Sequence, residues 1–305
     1  QVQFLNADIG QGKTHTLYLL REFAFEHGFA VALVTLSENS CPLYDFMGVY
    51  SSIMWELRTI DQRQKPALSN IIDRWVEDIR VLSEPRVRQI VNHELPENLR
   101  EIMAAYVAAI NLFRPNETNR QLILKYLGGE KVSRPDLRRL DIRFRLNSEN
   151  ALHILGEMAA TIRYIGFRGI CILFDEAEAI HSFARSAHRD EAYANLQQII
   201  QQSRQFSHCY FIYATTPSFF ESHGGRHLAQ GLGSDGILEL QPLAIEERKE
   251  AGARIARIYE AATDWQAPES VLEAINRAAG LTAGQRVGHY IRQVIGILDE
   301  VRSGS

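Results

Sequence analysis

The chain has 305 residues, 46% of them hydrophobic and 23% charged, with a formal net charge of -4. This is the composition of a globular protein with a sizeable core, in one large unit or two modest ones, and it excludes a collagen-like chain, a disordered chain and attachment to nucleic acid by bulk charge. No apolar run of about 18 residues and no signal peptide is present, and the cysteines, Cys41, Cys171 and Cys209, stand far apart, so buried reduced thiols in a cytoplasmic protein are expected rather than a membrane span, disulfides or a zinc site.

Residues 2–5 form a short apolar run that reads as a strand, and "NADIGQGKTHTLYLL" follows at 6–20. Its second half matches the phosphate-loop pattern G-x-x-x-x-G-K-[ST] through Gly12, Lys13 and Thr14, while Ala7 stands in place of the first glycine. An alanine there needs only a backbone of negative φ. Gly10 and Gly12 let the chain turn so that successive N–H groups of Asp8, Ile9, Gly10, Gln11 and Gly12 face an anion. Residues 14–27 then read as an amphipathic helix, with Leu17, Leu20 and Ala24 on one face. The start of that helix adds partial positive charge. Lys13 is expected to reach the β- and γ-phosphates of ATP, and Thr14 to complete a Mg²⁺ shell. His15 lies either near the phosphates or in a structural position one turn in. The alternative reading is a strand, turn and helix with incidental glycines.

Residues 29–36, "FAVALVTL", read as a buried strand. A helix carrying Leu43, Phe46, Tyr50, Ile53 and Leu57 at three–four spacing comes next. From about 65 to 165 the chain reads as nearly all helix; Leu68, Ile71, Ile72, Trp75 and Ile79 form one apolar stripe, Leu99, Ile102, Met103, Tyr106 and Ile110 another. Residues 125–145 carry Lys125, Lys131, Arg134, Arg138, Arg139, Arg143 and Arg145 against Glu130, Asp136 and Asp141. A phosphate backbone or a protein partner would suit such a segment; so would plain solvation of a charged face.

"GICILFDEAEAI", residues 169–180, is a continuous apolar run ending in Asp175 and Glu176. A fully apolar strand belongs in the middle of a parallel sheet, and acids at its C-terminal end lie where open α/β sheets bind ligands. Asp175 is expected to hold Mg²⁺ through water and Glu176 to act as the base that polarises an attacking water. Residues 193–204 read as a helix. "CYFIYATTPSFF" then gives another buried strand, whose tip carries Thr216, the preferred residue for orienting that water, and Thr215, the second choice. Residues 236–243 form a last strand. From Ala244 onward helical stripes recur, Ile245/Ala251/Ile255/Ile258 and Val287/Ile291/Ile295/Leu298. The expectation is an αβα parallel-sheet core over 1–243, interrupted by a large helical insertion, and a helical lid over 244–305.

These pieces in this order resemble the AAA+ group of phosphate-loop NTPases, near the origin-recognition/Cdc6-like branch. The resemblance implies a lid arginine that reaches the γ-phosphate, carried here by Arg286 in "LTAGQRVGHYIRQVIGIL", and an arginine finger, for which Arg226 in "HGGRHLAQGLG" stands in the matching interval. A closer resemblance is to the ATP-binding proteins of bacterial BREX phage-defence systems, of the BrxC/BrxD type. It is carried by "GQGKTHTLYLLREFAFEHGFAVALVTLSENSCPLYDFMGVYSSIMWELR" and "RRLDIRFRLNSENALHILGEMAATIRYIGFRGICILFDEAEAI", and it covers most of the chain. It implies an intracellular, bacterial or archaeal ATPase working with other subunits of a defence complex. A homo-oligomer is expected because such sites often gain an arginine from the next subunit, and double-stranded DNA is a further candidate partner.

Three functions compete on the sequence. The favoured one is an AAA+ ATPase using ATP and Mg²⁺. The second is a non-catalytic, nucleotide-gated switch that assembles partners. The third is a DEAD-like helicase, suggested by the alanine at position 7 and by "DEAE", but the residues after Thr216 read as lid helices and not as the second RecA-like domain that a helicase needs.

Overall fold

The computed structural model describes residues 1–79, 81–110, 115–233 and 235–303; the parts of the expected helical stretch and lid at 80, 111–114 and 304–305 lie outside them. The apolar runs become strands β1 (Val2–Asn6), β2 (Ala30–Thr35), β4 (Ile170–Asp175) and β5 (Cys209–Thr215), with two short edge strands, β3 (Leu57–Arg58) and β6 (Ile237–Glu239). They form a six-stranded sheet of order β3-β2-β4-β5-β1-β6. Every neighbouring pair is parallel except β2–β3. All six residues of β4 are buried, as a central parallel strand covered on both faces requires.

Side chains alternate across this sheet. On one face Val31, Cys171, Leu173 and Ala214 pack against Leu17, Ala24 and Phe25 of α1 (Lys13–Glu26). On the other, Phe4, Ala32, Val34, Ile172, Phe174, Phe211 and Tyr213 join the main core, where the Phe174 and Tyr213 rings stack at 4.7 Å. The order and the cover on both faces make this a P-loop NTPase-like α/β fold. Cys41, Cys171 and Cys209 are buried free thiols; burial pushes Cys171 up to about 12.

The main core continues into the helical region. It contains α2 (Phe46–Trp55), α3 (Leu68–Ile79), α4 (Glu84–Gln89), a π-helical turn (Ile90–Glu94), α5 (Glu97–Ala109), α6 (Glu117–Leu127), α7 (Arg134–Arg139) and α8 (Ala151–Tyr164). The expected stripes face inward: Leu68, Ile71, Ile72, Trp75 and Ile79 are buried, as are Leu99, Ile102, Met103 and Tyr106. Asp73 ties three of these helices together by accepting from Arg120 at 2.5 Å and from Tyr106 at 2.6 Å. Leu57 departs from its expected place in a helix. Its carbonyl takes the Ala67 N–H and it pairs with Ala32 at the sheet edge, so it buries its side chain as strand. The cations of 125–145 are exposed around α7, and among the described residues only Arg139 of these forms an ion pair, with Asp136 at 3.5 Å.

After β4 come a 3₁₀ helix (Ala177–Ser182) and α9 (Ser186–Ser203); after β5 come α10 (Pro217–Glu221) and α11 (His223–Gly231). The final helices, α12 (Ile245–Thr263), α13 (Glu269–Leu281) and α14 (Val287–Ser303), pack around Ala256, Val271, Ile275, Ala279, Tyr290, Val294 and Leu298. The stripe expected for α12 is rotated. Ile245 and Ile258 are exposed and Arg248 is fully buried, because its guanidinium finds backbone acceptors inside this bundle. In α14 likewise Ile295 is exposed and Tyr290 and Val294 point inward. Among the described residues no helix is long and apolar enough to cross a membrane.

Removing the Phe174 ring from this stacked, fully buried position is expected to cost about 3–5 kcal/mol, read as a fall in the denaturant midpoint of the Phe174→Ala protein.

Candidate functional site

The turn between β1 and α1 is built for close approach to an anion. Gly10 and Gly12 take φ of 82° and 97°, values that residues with a Cβ adopt only under strain. Ala7 has no such φ and is buried, so the missing first glycine leaves the turn intact. Gly12 caps α1 without a side chain, and no acid stands in the first turn. The helix therefore presents its first N–H groups and the positive end of its dipole to the mouth of the sheet. Asp8, Ile9 and Gly10 are exposed along this rim, as are Thr14 and His15, with Gln11 half-buried.

Lys13 folds back into the turn. Its ammonium donates to the Ala7 carbonyl at 2.9 Å and the Asp8 carbonyl at 3.4 Å, and it faces Glu178 Oε1 at 3.8 Å. Beside it the Thr14 hydroxyl donates to Asp175 Oδ2 at 2.7 Å, across 161 positions of sequence. Asp175 Oδ1 accepts the Glu176 N–H at 3.0 Å, so both oxygens of this buried carboxylate are engaged. Glu176 leaves the strand in the left-handed region, at φ 61° and ψ 43°, a conformation that a non-glycine residue holds only where its surroundings enforce it. Its side chain is exposed at the end of the strand. Glu178 is half-buried, and burial pushes its carboxyl above the usual range, with Asp175 and Glu176 adding to the rise and Lys13 opposing it.

The two threonines at the tip of β5 separate by face. Ile212 and Ala214 belong to the α1 side of the sheet, and Thr216 continues that alternation in extended backbone, at φ -106° and ψ 159°. It thus shares the side of Leu173 and Asp175, and its hydroxyl meets Ser218 Oγ at 2.9 Å. Thr215 points to the opposite face with its hydroxyl buried and unpartnered; its carbonyl holds the Ala7 N–H at 3.1 Å.

The C-terminal helices reach the same turn. The Gly288 N–H, at the start of α14, donates to the Gly10 carbonyl at 3.1 Å. A Cβ on Gly10 would lie 3.2 Å from Arg286 Cδ, so the Arg286 stem covers the loop, and among the described residues its guanidinium has no hydrogen bond or ion pair. Arg248 holds this corner in place. Its guanidinium donates to the Leu243 carbonyl at 3.1 Å, the Thr282 hydroxyl at 3.2 Å and the Gln285 carbonyl at 2.6 Å, and its own carbonyl accepts the Tyr290 hydroxyl at 2.6 Å. Arg226 is exposed on α11, and no hydrogen bond or ion pair joins it to the loop.

The structure thus brings Lys13, Thr14, Asp175, Glu176 and Arg286 to one end of the sheet, with Thr216 on the same side, and leaves Arg226 apart. Glu178, Arg248 and Gly288 were not singled out from the sequence. For Glu178 a signal exists: it is a third acid within four residues, three positions after Asp175. The donor set fits Mg²⁺. Thr14 and Asp175 offer adjacent hard oxygens, and Glu178 Oε2 is buried without a partner. Among the described residues no group of three or more His, Cys, Asp or Glu could hold a metal.

The family model for the BREX system ATP-binding protein BrxC/D matches residues 1–304, and the chain belongs to that family. No curated protein matches the chain.

Replacing Arg248 by Met is expected to leave the Leu243 and Gln285 carbonyls without their donor, to cost about 2–4 kcal/mol, and to speed hydrogen exchange at the Gly288 amide more than at amides within β4.

Proposed function

We propose that this member of the BREX system ATP-binding family binds ATP with Mg²⁺ and hydrolyses it, in the cytoplasm and within a phage-defence complex. The observation that carries this reading is the meeting of Lys13, Thr14 and Asp175 at the mouth of a parallel sheet, with the Thr14 hydroxyl 2.7 Å from the carboxylate. Residues 8–15 would wrap the phosphates through their N–H groups, and Lys13 would turn from the loop carbonyls to the β- and γ-oxygens. Thr14 directly, and Asp175 through water, would hold a Mg²⁺ ion, whose charge offsets the negative charge that develops on the phosphates. Glu176, exposed where the strand ends, would take the proton of the attacking water, with Thr216 fixing that water's orientation. Arg286 would close over the γ-phosphate from the lid, which the reading places at 244–305. Arg226, away from the loop of its own chain, suits a contribution to the site of a neighbouring copy in a homo-oligomer. Other defence subunits are the expected partners, and double-stranded DNA the expected stimulant, through the exposed cations of 125–145.

A second reading draws on the hydrogen bond from Gly288 to Gly10. A loop tied directly to the lid also serves a nucleotide-gated switch, which binds ATP, assembles partners and turns over little.

Phosphate release from the purified chain with Mg-ATP, with and without double-stranded DNA, separates the two. Turnover that drops about 10²–10⁴-fold in Glu176→Gln, with ATP binding kept, is expected for the ATPase. Tight ATP binding without release, and partner assembly supported equally by a non-hydrolysable analogue, would establish the switch. Lys13→Ala is expected to weaken ATP binding about 100-fold or more under either reading, measured by calorimetric titration.

A further inference from the structure

We propose that Glu178 is a positioning residue for Lys13: it holds the ammonium inside the turn, and a nucleotide phosphate gains the lysine only by drawing it away from this carboxylate. The proposal rests on the reading of residues 7–15 as a nucleotide site and adds to it a built-in competitor for its principal cation.

The argument begins with the lysine. Its side chain is 10% exposed, and a nearly buried ammonium needs acceptors and a counter-charge close by. The Ala7 and Asp8 carbonyls supply two acceptors but no net charge. Of the three acids at the C-terminal end of β4 and just beyond it, Asp175 has both oxygens committed to Thr14 and to the Glu176 N–H, and Glu176 is exposed. Glu178 remains. It approaches Lys13 to 3.8 Å through Oε1, while Oε2 is buried and has no partner. The left-handed Glu176 and the 3₁₀ helix that starts at Ala177 set it there, three residues beyond Asp175.

An ammonium offers three N–H donors, and two already point at the loop carbonyls. Turning toward β- and γ-phosphate oxygens therefore costs the contact with Glu178. The carboxylate also repels the incoming phosphates. Both effects weaken nucleotide binding, so removing the charge has one sign: affinity rises. A residue that merely supported the turn would give the opposite result, because its loss would loosen the phosphate cradle.

The test uses the whole chain and two readouts. ATP and ADP affinities are titrated for the wild type, Glu178→Gln and Glu178→Asp, with Mg²⁺ and again in EDTA, so that any effect through the metal is separated. Glu178→Gln is expected to bind both nucleotides about three- to tenfold more tightly in either condition. Glu178→Asp keeps the charge at a longer reach and is expected to fall between the two. Without nucleotide, acylation of Lys13 by an amine-reactive ester is followed by mass spectrometry, with the exposed Lys125 and Lys131 as internal references. Loss of the carboxylate releases the ammonium from its contact inside the turn, so Lys13 is expected to react several-fold faster while the references stay unchanged. Unchanged or weaker affinity overturns the proposal, as does tighter binding without faster labelling of Lys13. A wild type that binds no nucleotide would instead defeat the functional reading, and the labelling comparison would still decide whether Glu178 holds Lys13.

Discussion

The parallel pairing of β5 with both β1 and β4 is the constraint on which the site depends. Thr14 and Asp175 are far apart in sequence, and α1 and the whole helical region lie between them. They meet because β1 and β4 run in the same direction on either side of β5, so their C-terminal ends come to one edge of the sheet. Parallel strands cannot be joined by a tight hairpin, and each crossover must bury a helix against the sheet. The long helical passage between β2 and β4 is thus also cover for one sheet face. The register does the rest: Asn6 stands opposite Thr215, and Phe174 opposite Tyr213, which sets the loop, the acid strand and the tip of β5 within one side chain's reach of each other.

Within that frame, three carboxylates in four residues come to occupy different environments. Asp175 is buried and fully hydrogen-bonded. Glu176 is turned outward by a left-handed backbone. Glu178 is brought back toward the lysine by a 3₁₀ turn. Composition alone does not distinguish them; the change from strand to left-handed residue to 3₁₀ helix does. Backbone geometry thus gives each of these acidic side chains a separate hydration and a separate partner.

Much of this was legible in the sequence, for physical reasons that also mark the limits. Buried parallel strands have no solvated face, so 29–36 and 169–174 announce themselves as unbroken apolar runs, and the glycines and lysine of the loop have few other uses at that spacing. The order of the strands was not legible, because local pattern carries no information about which strands pair. Leu57 fits a helical spacing and lies in an edge strand, where a carbonyl was needed by Ala67. The α12 stripe was misplaced because pattern reading counts arginine as surface. Arg248 is buried on account of acceptors that arrive from Leu243, Thr282 and Gln285, which only the tertiary fold assembles. Glu178 was hidden by its own motif, since the acids that end the strand drew the eye from the one a turn later.

The bond from Gly288 to Gly10 joins the position of the last helix and the shape of the anion-facing turn into a single variable. Thermodynamic linkage then runs both ways. A molecule that prefers the seated arrangement of α12–α14 raises affinity for whatever that turn binds, and occupancy of the turn raises affinity for that molecule by the same factor. These helices also carry exposed apolar side chains, Ile258 and Leu281 among them.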